Sequence, residues 1–386
     1  MHLRRMRAVL VTSALLATTL PFTASATAPH LTCGPKQTGR WDTIPVRAFT
    51  PVSGLDTPDV VTAYTVDRVR PQDVAVTNGA RIQMSHSNGC AWTNAVALDP
   101  LANADQPFVG TGSSIVSVAL MQGKALAAVR EGNGSTSSPH VLRYNGESWS
   151  TSDTGLPPAG APRLLRAAAD GRTAYLTVSP TATGGSDDGT PGTPVPLPSL
   201  PPLPLPTPGS DEAPPTGFLY ATTDGGATWS LRTGPGSLPG GGTGFSSLEI
   251  DSRTSNWVYG IVNGALLVSQ DGGGTFTRAE GSGYTAMTSL AFGGLVAFDG
   301  KGHGTLLFGT RKVLSFPAPK GITSAASRYN DSMVMVESNG VLRLVGPYGQ
   351  GTIDTPSRRP ARRGSLLGDN GVQSSFHAVS GHDLLR

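Results

Sequence analysis

Thr222-Thr223-Asp224-Gly225-Gly226-Ala227-Thr228-Trp229 returns as Ser269-Gln270-Asp271-Gly272-Gly273-Gly274-Thr275-Phe276, the two aromatics standing 47 positions apart. Each copy lies between strand-like runs and carries a hydroxyl residue, an acid and glycines ahead of an aromatic. In such a turn the acid accepts backbone N–H groups that the chain reversal leaves unpaired. Glycine supplies left-handed backbone, and the aromatic re-enters an apolar core. A repeat of about 45 residues built from short strands has the length of one propeller blade. The spacing therefore predicts an all-β chain, a β-propeller of four-stranded antiparallel blades.

Hairpin signals support this independently. Asn78-Gly79, Asn263-Gly264 and Asn339-Gly340 each separate apolar runs, and Asn-Gly is the favoured pair for a two-residue type I′ turn because both positions need φ > 0. In the clearest unit Trp257 to Val262 forms a strand, Asn263-Gly264 turns it, Ala265 to Ser269 returns, and Thr275 to Ala279 leaves after the acidic turn. The same order is read from Asp73 to Thr77, Ala80 to Ser85 and on to Trp92.

The two acidic turns resemble the Asp boxes of bacterial neuraminidase repeats, with the pattern Ser/Thr-x-Asp-x-Gly-x-Thr-Trp/Phe. Thr222, Asp224, Gly226, Thr228 and Trp229 fit it, as do Ser269, Asp271, Gly273, Thr275 and Phe276. Ser85 to Trp92 is a weaker copy with Ser87 at the acid's place. Tyr144 to Trp149 is another, one residue shorter and with Asn145 there. Later blades are expected to have lost the box. The resemblance places the chain beside sialidase-like and sortilin-like propellers and implies that the box residues are structural.

The aromatic anchors at 92, 149, 229 and 276 leave one wide interval, explained by residues 180–215, which hold twelve prolines. Proline lacks the N–H a sheet requires, so this segment is predicted to be an extended arm or loop inserted within a blade, between the strands Arg172 to Val178 and Phe218 to Thr222. Without it, the remaining chain accommodates seven blades of about 45 residues, with six or eight as alternatives. Phe376 to Leu385 is read as a terminal strand that closes a ring with Trp41 to Phe49.

At the N-terminus Arg4, Arg5 and Arg7 precede an apolar run from Ala8 to Phe22 and the small residues Ala24-Ser25-Ala26. This is the grammar of a secretory signal over residues 1–26, leaving a single propeller domain over 27–386. The mature chain is then expected to be secreted or held at the cell surface, with no transmembrane segment. The formal net charge of +3 falls to about zero once those arginines are removed, which argues against a nucleic-acid partner. The 50 glycines, 32 prolines and 14% charged residues suit strands and tight turns. Arginine far outnumbers lysine, as in GC-rich bacterial genomes. Cys33 and Cys90 are an even pair in an exported chain and read as one disulfide, which by chain entropy would contribute roughly 4 kcal/mol. Two free thiols with a redox or metal role are the competing reading, without a Cys-x-x-Cys spacing behind it.

Sialidase chemistry needs a triad of arginines, a Tyr nucleophile assisted by Glu, and an acid/base Asp. It also brings an Arg-Ile-Pro motif, where this chain has Thr43-Ile44-Pro45. His377, His382 and Asp383 are too few for a closed metal site, and Gly240 to Gly242 lack the ending of a phosphate loop. No catalytic, metal or cofactor residue is assigned. The one charge cluster, Arg358, Arg359, Arg362 and Arg363, is a candidate grip for an anionic polymer or headgroup. The leading expectation is an exported non-catalytic propeller that binds a protein or glycan of the cell envelope. The alternative is a carbohydrate-active enzyme, hydrolase or lyase, with acids and arginines gathered at one mouth of the central channel. Two acids with several arginines there would favour the enzyme.

Overall fold

Val258–Val262 is buried at all five positions and Val74–Thr77 at all four, which a strand achieves only when both faces of its sheet are covered. In the computed structural model that cover comes from neighbouring sheets. The structure describes residues 43–45, 62–70, 72–87, 96–97, 113–131, 137–179, 218–234, 237–239, 244–327, 334–338, 341–346, 349–352, 366–368, 376–380 and 383–385. All of these fall in one unit, Cys33–Arg386.

Among the described residues 28 strands form seven four-stranded antiparallel sheets. An N-terminal strand, β1 (Thr43–Pro45), precedes the first. Sheet 1 holds β2 (Ala63–Val66), β3 (Val74–Thr77), β4 (Arg81–Ser85) and β5 (Val96–Ala97). Sheet 2 holds β6 (Ser114–Met121), β7 (Lys124–Glu131), β8 (Ser138–Tyr144) and β9 (Trp149–Thr151), and sheet 3 holds β10 (Ala161–Ala167), β11 (Ala174–Ser179), β12 (Phe218–Thr222) and β13 (Ser230–Thr233). Sheet 4 comprises β14 (Ser247–Ile250), β15 (Val258–Val262), β16 (Ala265–Ser269) and β17 (Thr277–Arg278), and sheet 5 comprises β18 (Tyr284–Ser289), β19 (Leu295–Asp299), β20 (His303–Phe308) and β21 (Arg311–Pro317). Sheet 6 is β22 (Ile322–Ser327), β23 (Val334–Ser338), β24 (Val341–Gly346) and β25 (Gly349–Thr352). Sheet 7 takes β26 (Leu366–Gly368), β27 (Phe376–Ser380) and β28 (Asp383–Leu385) from the C-terminus and β1 as its outer strand, with Thr43 opposite Leu385. The terminal runs thus pair as the sequence predicts.

The first strand of each sheet lies against the first strand of the next, and β26 returns to β2, so the circuit of inner strands is closed. This is the arrangement of a β-propeller, in which each sheet turns one edge strand towards the axis and the other outwards. The apolar clusters lie between consecutive sheets. Ile82 and Met84 of sheet 1 meet Val118, Leu120 and Ala127 of sheet 2. Tyr259, Leu266 and Val268 of sheet 4 meet Met287, Leu295 and Leu307 of sheet 5. In sheets 2, 3, 5 and 6 the first strand carries a register shift near its start, at 115–117, 162–165, 284–286 and 322–324. Such a bulge sharpens the twist of the strand facing the axis.

Asn263 (φ 49) and Gly264 (φ 73) form the predicted I′ turn between β15 and β16. Asn78 does not: of this pair only Gly79 has positive φ, and the Asn78 side chain instead caps the turn, its Oδ1 accepting from the N–H groups of Ala80 (3.0 Å) and Arg81 (2.9 Å). An unpredicted positive-φ pair, Gln122 (φ 53) and Gly123 (φ 86), turns β6 into β7. Asn339-Gly340 lies outside the described residues, as does 180–215. The strands flanking that segment, β11 and β12, pair directly, with Val178 opposite Phe218. The proline-rich stretch therefore joins adjacent ends within one sheet.

Candidate functional site

Both Asp boxes connect the third strand of a sheet to the fourth, and their networks coincide. The Thr222 hydroxyl donates to Asp224 Oδ1 (2.7 Å) and accepts from Gly226 N (2.9 Å). Asp224 Oδ1 also accepts from the N–H groups of Ala227 (2.8 Å) and Thr228 (3.0 Å), and Oδ2 accepts from the Thr228 hydroxyl (2.7 Å). Ser269, Asp271, Gly273, Gly274 and Thr275 repeat each bond within 0.1 Å. Burial on its own would raise the two carboxyls, but these donated bonds outweigh it and hold each at about 2.

The box also joins neighbouring sheets. Gly226 O accepts from the Ser152 hydroxyl and Gly273 O from the Thr233 hydroxyl, each from the sheet before. Trp229 packs among Leu126 and Val141 of sheet 2 and Leu165, Leu176 and Tyr220 of sheet 3. Phe276 packs among Tyr175 and Leu219 of sheet 3 and Leu248, Ile250 and Leu267 of sheet 4. The two rings have equivalent surroundings, so the box residues act in the fold. In the shorter copy Asn145 Oδ1 takes the N–H groups of Glu147 (2.8 Å) and Ser148 (2.9 Å), and Trp149 packs at a tilt against Tyr144, ring centres 5.4 Å apart.

As expected, the described residues of the later sheets hold no further copy of the box pattern, but sheet 5 has an acidic turn of another kind. In sheet 5 Asp299 Oδ1 accepts from the N–H groups of Lys301, Gly302 and His303, and Oδ2 faces His303 Nδ1 at 3.1 Å. This turn connects the second and third strands and differs from a box: Ala297 stands where the box has its first hydroxyl, His303 where it has its second, and Gly304 where it has the aromatic. A further acidic set joins first to second strands. Asp67 Oδ1 accepts from Val69 N and Arg70 N while Oδ2 takes Gly123 N of sheet 2. Asp251 Oδ1 accepts from Arg253 N and Thr254 N, and Oδ2 takes Gly294 N of sheet 5. Each lies seven residues before the valine that opens the next strand, Val74 or Val258, a spacing that could have been read. His140 joins β8 to its surroundings in another way, with Nδ1 2.6 Å from Asp153 Oδ2 and Nε2 2.8 Å from Glu131 Oε2. The bond to Asp153 raises its pKa above the ordinary value, burial opposing.

Among the described residues a further charged cluster lies at the C-terminal ends of the inner strands. Arg68, just beyond β2, reaches from sheet 1 to sheet 4, three steps around the circuit. Its Nη2 is 2.7 Å from Glu249 Oε2 on β14, and its Nη1 donates to Ile250 O at 2.7 Å. Arg166 on β10 stands beside the pair, Nε 4.0 Å from Glu249 Oε1. Ser289, the last residue of β18, contributes a hydroxyl 3.4 Å from Glu249 Oε2. Four sheets thus converge on one carboxylate.

The two arginines are not equally satisfied. Arg68 holds Glu249 at hydrogen-bond distance, whereas Arg166 Nη1 donates to the carbonyl of Leu165 (3.1 Å) and its Nε is buried without a hydrogen-bond partner. Burial pushes the Arg166 guanidinium below its ordinary pKa. Glu249 pulls it back up, and the positive charge of Arg68 pushes it further down. A cation in that condition gains when an anion approaches, since among the described residues its one paired carboxylate, Glu249, is held more closely by Arg68. The cluster can bind a carboxylate or similar anion. Among the described residues it presents one acid, already paired, in place of the two acids an enzyme reading requires. No local motif marks it, because its members lie far apart in sequence and meet only through the circuit.

The other sequence candidates, Arg358, Arg359, Arg362, Arg363, Cys33, Cys90 and Trp92, lie outside the described residues, as do the side chains of His377 and His382. No helix among the described residues is long and apolar enough to cross a membrane, and no group of three metal-ligating side chains occurs among them.

No protein-family model and no curated protein matches the chain. Solved structures do. One, described as YCF48 bound to D1 peptide, aligns over 91% of this chain and 97% of its own, with a TM-score of 0.55 and 12% identity. The two share a fold. At that identity the likeness speaks for architecture alone, and it agrees with the propeller expected from the boxes.

Proposed function

We propose that this chain is an exported, non-catalytic β-propeller, seven-bladed, that binds an acidic segment of a partner protein at or outside the cell surface. The observation that carries this reading is Arg166: a guanidinium at the inner ends of the sheets with an unspent buried donor, beside an arginine that holds Glu249, the one acid paired with either among the described residues. Arginine in a site partly withdrawn from water binds carboxylate strongly, with up to two parallel bonds. The solved propeller of the same fold has a peptide bound to it, which makes a protein segment the favoured ligand over a glycan. Export rests on the N-terminal signal grammar.

Capture of partners from the native envelope tests this reading, using the unaltered chain and Arg166→Gln side by side. A protein retained by the first, lost with the second and displaced by a free acidic peptide supports it. Equal capture by both chains overturns it. So does turnover of a sialoside or wall glycan by the pure protein that disappears in Glu249→Gln.

A further inference from the structure

The outer strand of sheet 5 differs from its six counterparts. β21 is 7 residues long, while the outer strands of the other sheets have 2, 3 or 4. Its first five residues, Arg311 to Ser315, are all exposed. Its one pairing among the described residues is to β20, so along the exposed run Arg311 to Ser315 alternate N–H and C=O groups face away from the sheet with no described strand beside them. An edge of this length is a template for another strand.

The side chains around this edge are also unusual. Of six large apolar residues exposed among the described residues, four belong to this sheet and its first loop: Phe292 39%, Phe308 39%, Val313 53% and Leu314 40%. Phe292 and Phe308 are neighbours, ring centres 6.4 Å apart. Arg311 stands opposite Phe308, and Leu314 stands opposite Leu306, which shares a strand face with Phe308 two residues on. The result is an apolar stripe running into the edge, with Arg311 and Lys312 at one end. Among the described residues neither cation makes an ion pair.

Two features oppose self-pairing. The register shifts between Leu306 and Leu307, leaving Val313 as the extra residue of a bulge, and two like charges of one copy would meet those of another. Bulges and edge lysines are ordinary protections against aggregation. An acidic strand would meet the same cations as attraction. Its backbone would supply ladder bonds, and its apolar residues would cover the stripe.

We propose that the outer edge of sheet 5 is a docking strand for an extended partner-protein segment in which acidic and apolar residues alternate. This surface lies apart from the Arg166 cluster and does not rest on the function assigned to it.

The test uses two short, end-blocked peptides, one alternating glutamate with valine and one alternating lysine with valine. Binding is followed by fluorescence anisotropy and by amide hydrogen exchange across 311–317. The acidic peptide should bind and slow exchange at those amides about tenfold or more. Reversing both charges, Arg311→Glu with Lys312→Glu, should weaken it by about tenfold or more. The same variant should take up the lysine peptide, which also shows that it remains folded. Equal binding of both peptides by the unaltered chain would overturn the proposal. So would acidic-peptide binding without protection at 311–317, or a dimer of this chain that occupies the edge.

Discussion

Replacing Gly226 by alanine separates the two tasks of the box, closing a turn and joining two sheets. Gly226 has φ +85°, and a Cβ there would press well inside contact distance of Leu126 Cδ2 in the preceding sheet. Its neighbour Gly225 has φ +74°, but a Cβ there would meet only Arg143 Nη2 at 3.8 Å, ordinary contact. Both substitutions carry the cost of left-handed backbone in an alanine, about 1–2 kcal/mol. Only the change at 226 adds overpacking between sheets, typically about 1–3 kcal/mol. Gly225→Ala should therefore lose about 1–2 kcal/mol and Gly226→Ala about 2–5 kcal/mol. Urea unfolding of the two variants, compared by midpoint at unchanged m, measures the difference. If Gly226→Ala costs no more than Gly225→Ala, the joint between sheets that the account places at the box does not exist.

Acid should loosen the boxes in a defined window. Asp224 and Asp271 sit at about 2 in the folded chain against an ordinary value of 3.8, so their contribution is complete above about pH 4 and is lost as pH falls towards 2. Replacing both by Asn should flatten that acid limb of the urea midpoint; a limb left unchanged would place the titration elsewhere. His140 has the opposite sign. Its folded pKa lies above the ordinary value of 6.5, so the stabilisation is complete below about pH 6.5 and is lost as pH rises through the folded value. His140→Gln should lower stability more at pH 5.5 than at pH 9, and an equal loss at both would show that the clamp between Asp153 and Glu131 does not depend on charge.

The sequence carried the repeat more readily than the site. A box is local: Thr222 to Trp229 contains every donor and acceptor of its turn, so its letters announce it, and two copies suffice to set the repeat length. The Asp299 turn was hidden because His303 stands where the pattern expects a hydroxyl and because it lies between a different pair of strands. The Asp67 and Asp251 turns contain little glycine at their acids, and half of what each acid binds, Gly123 or Gly294, belongs to another sheet. Gln122 takes positive φ without being Asn or Gly, a preference set by the strands around it. Arg68, Arg166 and Glu249 had no signal at all, since only closure of the circuit brings them together. A single chain read without the closed sheet order cannot pair residues from opposite sides of an axis.

Arg166 is the residue on which the functional account turns, and its effect on stability tests that account without knowledge of the partner. A guanidinium kept for a ligand, partly withdrawn from water and sharing its one acid with Arg68 at a distance of 4.0 Å, should burden the unliganded fold. Arg166→Met keeps the packing of the stem and removes the charge. The urea midpoint of the unliganded protein should be unchanged or rise; a loss of more than about 1 kcal/mol would mean that Arg166 serves the fold as a partner of Glu249, which would contradict a role kept for a ligand.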